Sequence, residues 1–146
     1  MDILIENRVA GMIATLTWDI IERGLIEAMT EENIPIVGLA GARVVEGIDT
    51  VTIDDIMGGR MAVRHLIDTG HRKIGFIGSK ESKTTQERLR GYLDALEESG
   101  IEADKDFVEL GTSFTREDGY HLADTLYGRC PEITAIFVYN DVMAAG

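Results

Sequence analysis

Short apolar runs rich in β-branched residues alternate along the chain with amphipathic stretches of helical length. The runs Val9–Ala14, Pro35–Leu39, Thr50–Ile53, Lys73–Ile77, Phe107–Leu110 and Ala135–Val138 read as strands, several of them continuously apolar. A continuously apolar strand is covered on both faces, and helices placed between such strands mark βαβ units of a parallel sheet. The pattern predicts an α/β layered fold.

The helix ends are legible as well. Leu89, Tyr92, Leu93 and Leu96 fall at i, i+3, i+4 and i+7, one helix face, and Gly100 is placed to stop that helix. Thr115 with Asp118 three residues on reads as a capping box, after which Leu122, Ala123 and Leu126 continue an apolar stripe to Gly128. A further helix runs from Asp54 or Asp55 to about Thr69 and is closed by Gly70. It carries Gly58-Gly59 in its first turns, where each glycine costs about 1 kcal/mol relative to alanine. Close approach of another backbone is expected to offset that cost. The two prolines, Pro35 and Pro131, both precede strands and punctuate loop ends.

At 146 residues and 45% apolar content the chain can build a core. Its longest apolar stretches fall far short of the roughly 20 residues that span a bilayer. The first residues show no secretory pattern, so a cytoplasmic address is expected. Cys130 is the single cysteine, which excludes an internal disulfide and a cysteine-based zinc site. A net charge of −12 is unfavourable for holding a polyanion, so this segment is not expected to bind DNA by itself. The segment Arg60–Arg90 departs from that balance, with eight Lys/Arg against three Asp/Glu. Such a bias suits an anionic ligand, an acidic partner, or an ordinary solvated face.

A search for catalytic constellations finds none of G-x-G-x-x-G, G-x-x-x-x-G-K-[ST], H-E-x-x-H or C-x-x-C. Gly111-Thr112-Ser113-Phe114-Thr115 begins like a nucleophile elbow but lacks its second glycine. His65, His71 and His121 are dispersed, without the i, i+4 spacing of a helical metal pair. The carboxylate pairs Asp54-Asp55, Glu97-Glu98 and Glu117-Asp118 sit at helix starts or on polar faces, where helix-dipole and solubility roles suffice. No catalytic residue, metal ligand or cofactor is assigned, and the chain reads as something other than an enzyme.

What remains is a set of polar and aromatic residues just after strands: Thr15-Leu16-Thr17-Trp18, the Ser79–Arg88 loop, Ser113-Phe114 and Asn140-Asp141. Ligands of open α/β sheets bind outside the carboxyl ends of the strands. An aromatic ring, a guanidinium and an amide form a suitable set for a small polar molecule.

Thr52-Ile53-Asp54-Asp55, then Gly58-Gly59-Arg60-Met61-Ala62-Val63-Arg64-His65-Leu66, then Gly70-His71-Arg72-Lys73-Ile74-Gly75-Phe76-Ile77-Gly78 closely resemble the sensing core of the lactose/galactose-repressor-type (LacI/GalR) regulators. Val9–Ala14 resembles that family's V-D-G-I-I-L strand. Arg88-Leu89-Arg90-Gly91-Tyr92 resembles its R-x-x-G-[FY] helix start, and Asn140-Asp141-Val142-Met143-Ala144 its N-D-x-M-A motif. The resemblance implies a type I periplasmic-binding-protein-like fold of Rossmann-like parallel layers. An effector sits between two lobes, and lobe rotation is relayed to a helix-turn-helix reader of operator DNA. It implies effector-binding roles for Arg88, Phe114 and Asn140, with Thr15, Ser82 and Thr84 as secondary contacts and Asp141 as the cap or hinge of the next helix. Ala40-Gly41 stands where sugar-binding relatives often carry an Asp-Arg pair, which leaves sugar-like and nucleoside-like effectors both open.

By the same resemblance, residues 1–72 are expected to form part of the N-terminal lobe and 73–146 the first part of the C-terminal lobe. The fold is then incomplete, without the DNA-binding headpiece, and exposed sheet edges and apolar faces favour a homodimer or larger assembly. The helix from Asp54 to Thr69 is the expected contact between copies. A periplasmic sugar-binding protein of a transport system shares this fold and is the alternative reading.

Overall fold

The computed structural model describes residues 7, 9–16, 24–39 and 45–146. They fall into two compact units, Met1–Ile53 and Asp54–Gly146.

In the first unit, β1 (Met12–Ala14), β2 (Ile36–Leu39) and β3 (Asp49–Val51) form a parallel sheet in the order β1-β2-β3, with α1 (Leu25–Glu31) between the first two. Pairing starts with Met12 opposite Ile36, and the Met12 N–H donates to the Pro35 carbonyl at 2.9 Å. β1 is therefore shorter than the expected Val9–Ala14: Pro35 has no N–H to carry the ladder further back. Leu16, Met29 and Ile36 form a small core on one side of the sheet. Ile13, Leu39 and Val51 project to the other side and are exposed, Ile13 at 72%. The Ala40-Gly41 position, Thr17 and Trp18 lie outside the described residues.

The second unit is built on β4 (Ile74–Ser79), which is buried at every position. It is flanked in parallel by β5 (Val108–Gly111) and β6 (Ala135–Val138) in the order β5-β4-β6. A strand buried on both faces needs the continuous apolar run that the sequence supplies. The helices are α2 (Asp55–Asp68), α3 (Lys83–Glu98), α4 (Arg116–Arg129) and the short α5 (Asp141–Ala144), with a 3₁₀ turn at Lys105–Phe107. Val63, Ile67, Phe76, Tyr92, Leu96, Leu126 and Met143 are among the residues of its core. The Tyr92 hydroxyl, taken out of water, donates to the Ile74 carbonyl at 2.8 Å.

Helix ends follow the sequence in most places. Gly70 and Gly100, at φ +102° and +66°, close α2 and α3 from the left-handed region. The Thr115–Asp118 capping box opens α4. Gly128, expected to stop α4, is passed: the helix runs to Arg129, whose guanidinium holds the Asp106 carbonyl at 2.8 and 3.0 Å and Glu109 at 2.7 Å. That network secures the last turn.

The α2 glycines divide their work. A Cβ on Gly59 would stand 2.5 Å from the Arg88 carbonyl oxygen of α3, and one on Gly91 of α3 would stand 2.6 Å from the Arg60 nitrogen and closer still to the Ile56 carbonyl. The two helices cross backbone to backbone at these residues. Gly58 meets nothing within 4 Å. The close approach anticipated from Gly58-Gly59 is therefore made within the chain, at Gly59. It also ties α2 to the second unit, so contacts divide the chain at 53/54 rather than at the expected 72/73.

Candidate functional site

β4, β5 and β6 end at Ser79, Gly111 and Val138, and the segments that follow supply the candidate residues. After β4, the Ser82 hydroxyl caps α3 by accepting from the Thr85 N–H at 3.2 Å, and Thr85 Oγ1 accepts from the Ser79 N–H at 3.2 Å. Lys80 N–H donates across to the Gly111 carbonyl at 2.9 Å. This segment, expected to be a loop up to Arg88, becomes helix at Lys83 because Ser82 satisfies its first turn. Thr84 and Arg88 therefore lie on α3, not on a loop. The Ser79 hydroxyl is buried and has no hydrogen-bond partner among the described residues.

Arg88 is the most constrained of the candidates. Its Nε donates to Asp55 Oδ1 at 2.8 Å, its Nη2 stands 2.8 Å from the same oxygen, and its Nη1 donates to the Tyr139 carbonyl. The side chains of Arg88 and Asp55 are 27% and 12% exposed. The guanidinium is thus pinned at the carboxyl end of β6, on the peptide that joins Tyr139 to Asn140. Burial pushes the Tyr139 phenol above its ordinary pKa, while the nearby Asn140 amide and Arg88 charge pull it back. The structure accordingly brings Arg88, Tyr139 and Asn140 together.

Asn140 itself corrects one expectation. The cap of α5 is Asn140, whose Oδ1 accepts from the Met143 N–H at 2.8 Å, and not Asp141. Asn140 has the extended backbone a cap requires, at φ −144° and ψ 164°, whereas Asp141 is the first helical residue, where its carboxylate complements the helix dipole.

Phe114 follows β5 at the same end of the sheet and is 52% exposed. Its neighbours hold it: the Ser113 and Thr115 hydroxyls both donate to Asp118 Oδ2, which also accepts from the Thr115 N–H at 3.2 Å. These bonds, first that from Ser113, keep the Asp118 carboxyl below its ordinary pKa. The Phe114 ring is presented to solvent from an anchored backbone. Thr15, in the first unit, follows β1 directly and is exposed.

Sequence reading missed two parts of this arrangement. Asp55 was assigned to the helix dipole together with Asp54. Only Asp54 is the cap, accepting from the Met57 N–H at 2.8 Å, while Asp55 turns to Arg88. The other is the Tyr139 carbonyl, a backbone group whose role no side-chain pattern announces.

Comparison with known proteins places these features in a family. The model for periplasmic binding proteins and the sugar binding domain of the LacI family matches residues 1–146. The HTH-type transcriptional repressor PurR of Mannheimia succiniciproducens is 31% identical over 148 residues, covering 100% of this chain and 43% of that protein. The HTH-type transcriptional regulator GalR of Escherichia coli is 40% identical over 107 residues, covering 71% of this chain and 31% of its own length. Among solved structures, a transcriptional regulator CelR–cellobiose complex superposes with a TM-score of 0.73 at 34% identity, covering 99% of this chain and 45% of that one. The chain spans less than half the length of these relatives, which are named as regulators of transcription and not as enzymes or transporters. Matched along its whole length, the chain belongs to the LacI-type family of sugar-binding, periplasmic-binding-protein-like domains.

Proposed function

We propose that this chain is the effector-sensing part of a LacI-type transcription regulator that takes a small polar molecule, sugar-like or nucleoside-like, at the carboxyl ends of its strands. The observation that carries the reading is Arg88, pinned beside Asn140 where three parallel strands end. A guanidinium fixed by protein acceptors offers its remaining N–H groups in one orientation, as recognition of hydroxyl or carbonyl oxygens requires. The Asn140 amide, the Phe114 ring and the hydroxyls of Ser82 and Thr84 complete the proposed contacts of this unit, and Thr15 is the proposed effector contact of the first unit. The first unit is taken as part of the N-terminal lobe, and the second, beginning at Asp54, as the opening part of the C-terminal lobe.

Effector binding is then relayed by lobe motion to a helix-turn-helix domain on operator DNA, in a cytoplasmic homodimer or larger assembly. The CelR structure is a complex with cellobiose, and another LacI-family neighbour, from Enterococcus faecium, holds ribose. Both support a carbohydrate-like effector for this chain. Open apolar positions at Ile13, Leu39 and Val51 support association, which sedimentation at micromolar concentration measures. The functional test is calorimetry on the complete reading frame with cellobiose, D-ribose, D-galactose and adenosine. Arg88→Met is expected to weaken the ligand that binds by at least about tenfold, and unchanged affinity removes Arg88 from the site.

A further inference from the structure

Arg88 is a cation whose charge is already answered. Asp55 Oδ1 meets both Nε and Nη2 at 2.8 Å, and the carboxylate is the more buried of the two partners. With the Tyr139 carbonyl on Nη1, two of the five guanidinium N–H bonds are donated, and Nη2 is held in ion-pair contact with Asp55. The other N–H bonds have no hydrogen-bond partner among the described residues, on a side chain that still reaches solvent. Two further carboxylates adjoin site residues in the chain, Asp54 capping α2 beside Asp55 and Asp141 opening α5 beside Asn140, while Lys83, between Ser82 and Thr84, is paired with Glu87 at 3.3 Å. Ser82, Thr84, Asn140 and Phe114 are all neutral. An anion approaching the free N–H bonds therefore meets an arginine already compensated by Asp55. A neutral oxygen acceptor meets oriented donors and no such penalty.

We propose that Asp55 is the positioning and charge-setting residue of this site: by gripping and neutralising Arg88 it makes the site select uncharged, oxygen-bearing ligands and reject anions. The inference rests on the reading of Arg88 as an effector contact, and it adds a residue and a selectivity to that reading. Orientation follows from geometry, because a long arginine side chain otherwise samples many rotamers, and a part-buried carboxylate within 2.8 Å of both Nε and Nη2 removes most of them. Selectivity follows from charge, because an unpaired guanidinium is the preferred partner of phosphates and carboxylates and a paired one is not.

The experiment uses the complete reading frame and inorganic phosphate as the anionic probe. Binding is followed by calorimetry and by the NMR signal of the Arg88 Nε–H, for wild type, Asp55→Asn, Asp55→Glu and Arg88→Met. Asp55→Asn keeps shape and removes the charge, so its phosphate affinity is expected to rise about tenfold or more over wild type, as for one unit charge uncovered within a few ångströms. Asp55→Glu restores the carboxylate and is expected to return phosphate binding to the wild-type level, an effect that a purely structural role for Asp55 does not produce. Arg88→Met is expected to abolish the gain when combined with Asp55→Asn. Phosphate affinity within about twofold of wild type in a folded Asp55→Asn protein, or an equal gain in Asp55→Glu, overturns the inference. Should Asp55→Asn fail to fold, Asp55→Ser with the same probe and the same thresholds decides the question. Failure of the broader reading has a different signature, namely neutral-ligand affinity that Arg88→Met leaves unchanged.

Discussion

Replacing single glycines of the α2–α3 crossing by alanine separates packing from propensity, because three nearby glycines differ only in what a methyl group would meet. Alanine in a helix interior gains about 1 kcal/mol over glycine. At Gly58 nothing lies within 4 Å, so Gly58→Ala is expected to realise most of that gain. At Gly59 the new Cβ stands 2.5 Å from the Arg88 carbonyl oxygen and 3.0 Å from the Arg88 Cα, where ordinary contact begins at 3.4 Å. The obstacles are backbone atoms, so no rotamer change relieves the clash and the helices must part by about 1 Å. Overpacking of this kind costs about 1–3 kcal/mol. Gly59→Ala should thus be net destabilising by up to about 2 kcal/mol, and Gly91→Ala, nearer still to the Ile56 and Arg60 backbone, by about 2 kcal/mol or more. For a chain of this size 1 kcal/mol moves Tm by about 2–4 °C, so thermal and urea unfolding resolve the series easily. Equal stability of Gly58→Ala and Gly91→Ala would refute the backbone crossing.

Three further outcomes are expected. Burial pushes the Tyr92 phenol up to about 12; since its folded pKa lies above the unfolded value near 10, stability is fully present below about pH 10 and falls as pH rises toward 12, by about 1.4 kcal/mol per unit. Tyr92→Phe should flatten that alkaline loss, and an unchanged slope in alkaline urea titrations contradicts the assignment. Ser79→Ala removes a buried hydroxyl that has no partner among the described residues and is expected to be neutral or stabilising by about 1 kcal/mol; a clear drop in Tm shows that the hydroxyl is engaged. Asn140→Ala should cost about 1 kcal/mol through the lost α5 cap while Asn140→Asp retains it, so equal melting of the two variants discounts the cap.

Much of the fold was legible because its signals are local. β4 announces itself by a continuous apolar run, and Gly70 and Gly100 by the left-handed turn that only glycine enters without strain. Boundaries slipped where distant partners decide. Pairing of Gly78 with Leu110 and of Ser79 with Gly111 carries β4 two residues past its expected end, and the Asp106 and Glu109 contacts of Arg129 carry α4 past Gly128. The candidate site was legible only as a list of residues following strands. Which of two adjacent aspartates caps a helix and which holds an arginine 33 positions away is a matter of tertiary geometry that composition does not contain.

The α2–α3 crossing also connects the Gly58-Gly59 pair to the candidate site. The atoms that Gly59 admits are the carbonyl oxygen and Cα of Arg88, and the helix that carries Gly59 begins with Asp55. Helix α2 therefore reaches Arg88 twice, once at its backbone through the absence of a side chain and once at its guanidinium through a carboxylate. Those two contacts fix both ends of the arginine. Parting the helices by about 1 Å at Gly59 would move the Arg88 backbone away from α2 while Asp55 still held its guanidinium, straining or breaking the 2.8 Å contacts. Glycine at 59 is then as much a condition for the orientation of Arg88 as the carboxylate at 55, and the penalty it carries as a helix residue is offset by the arginine it positions.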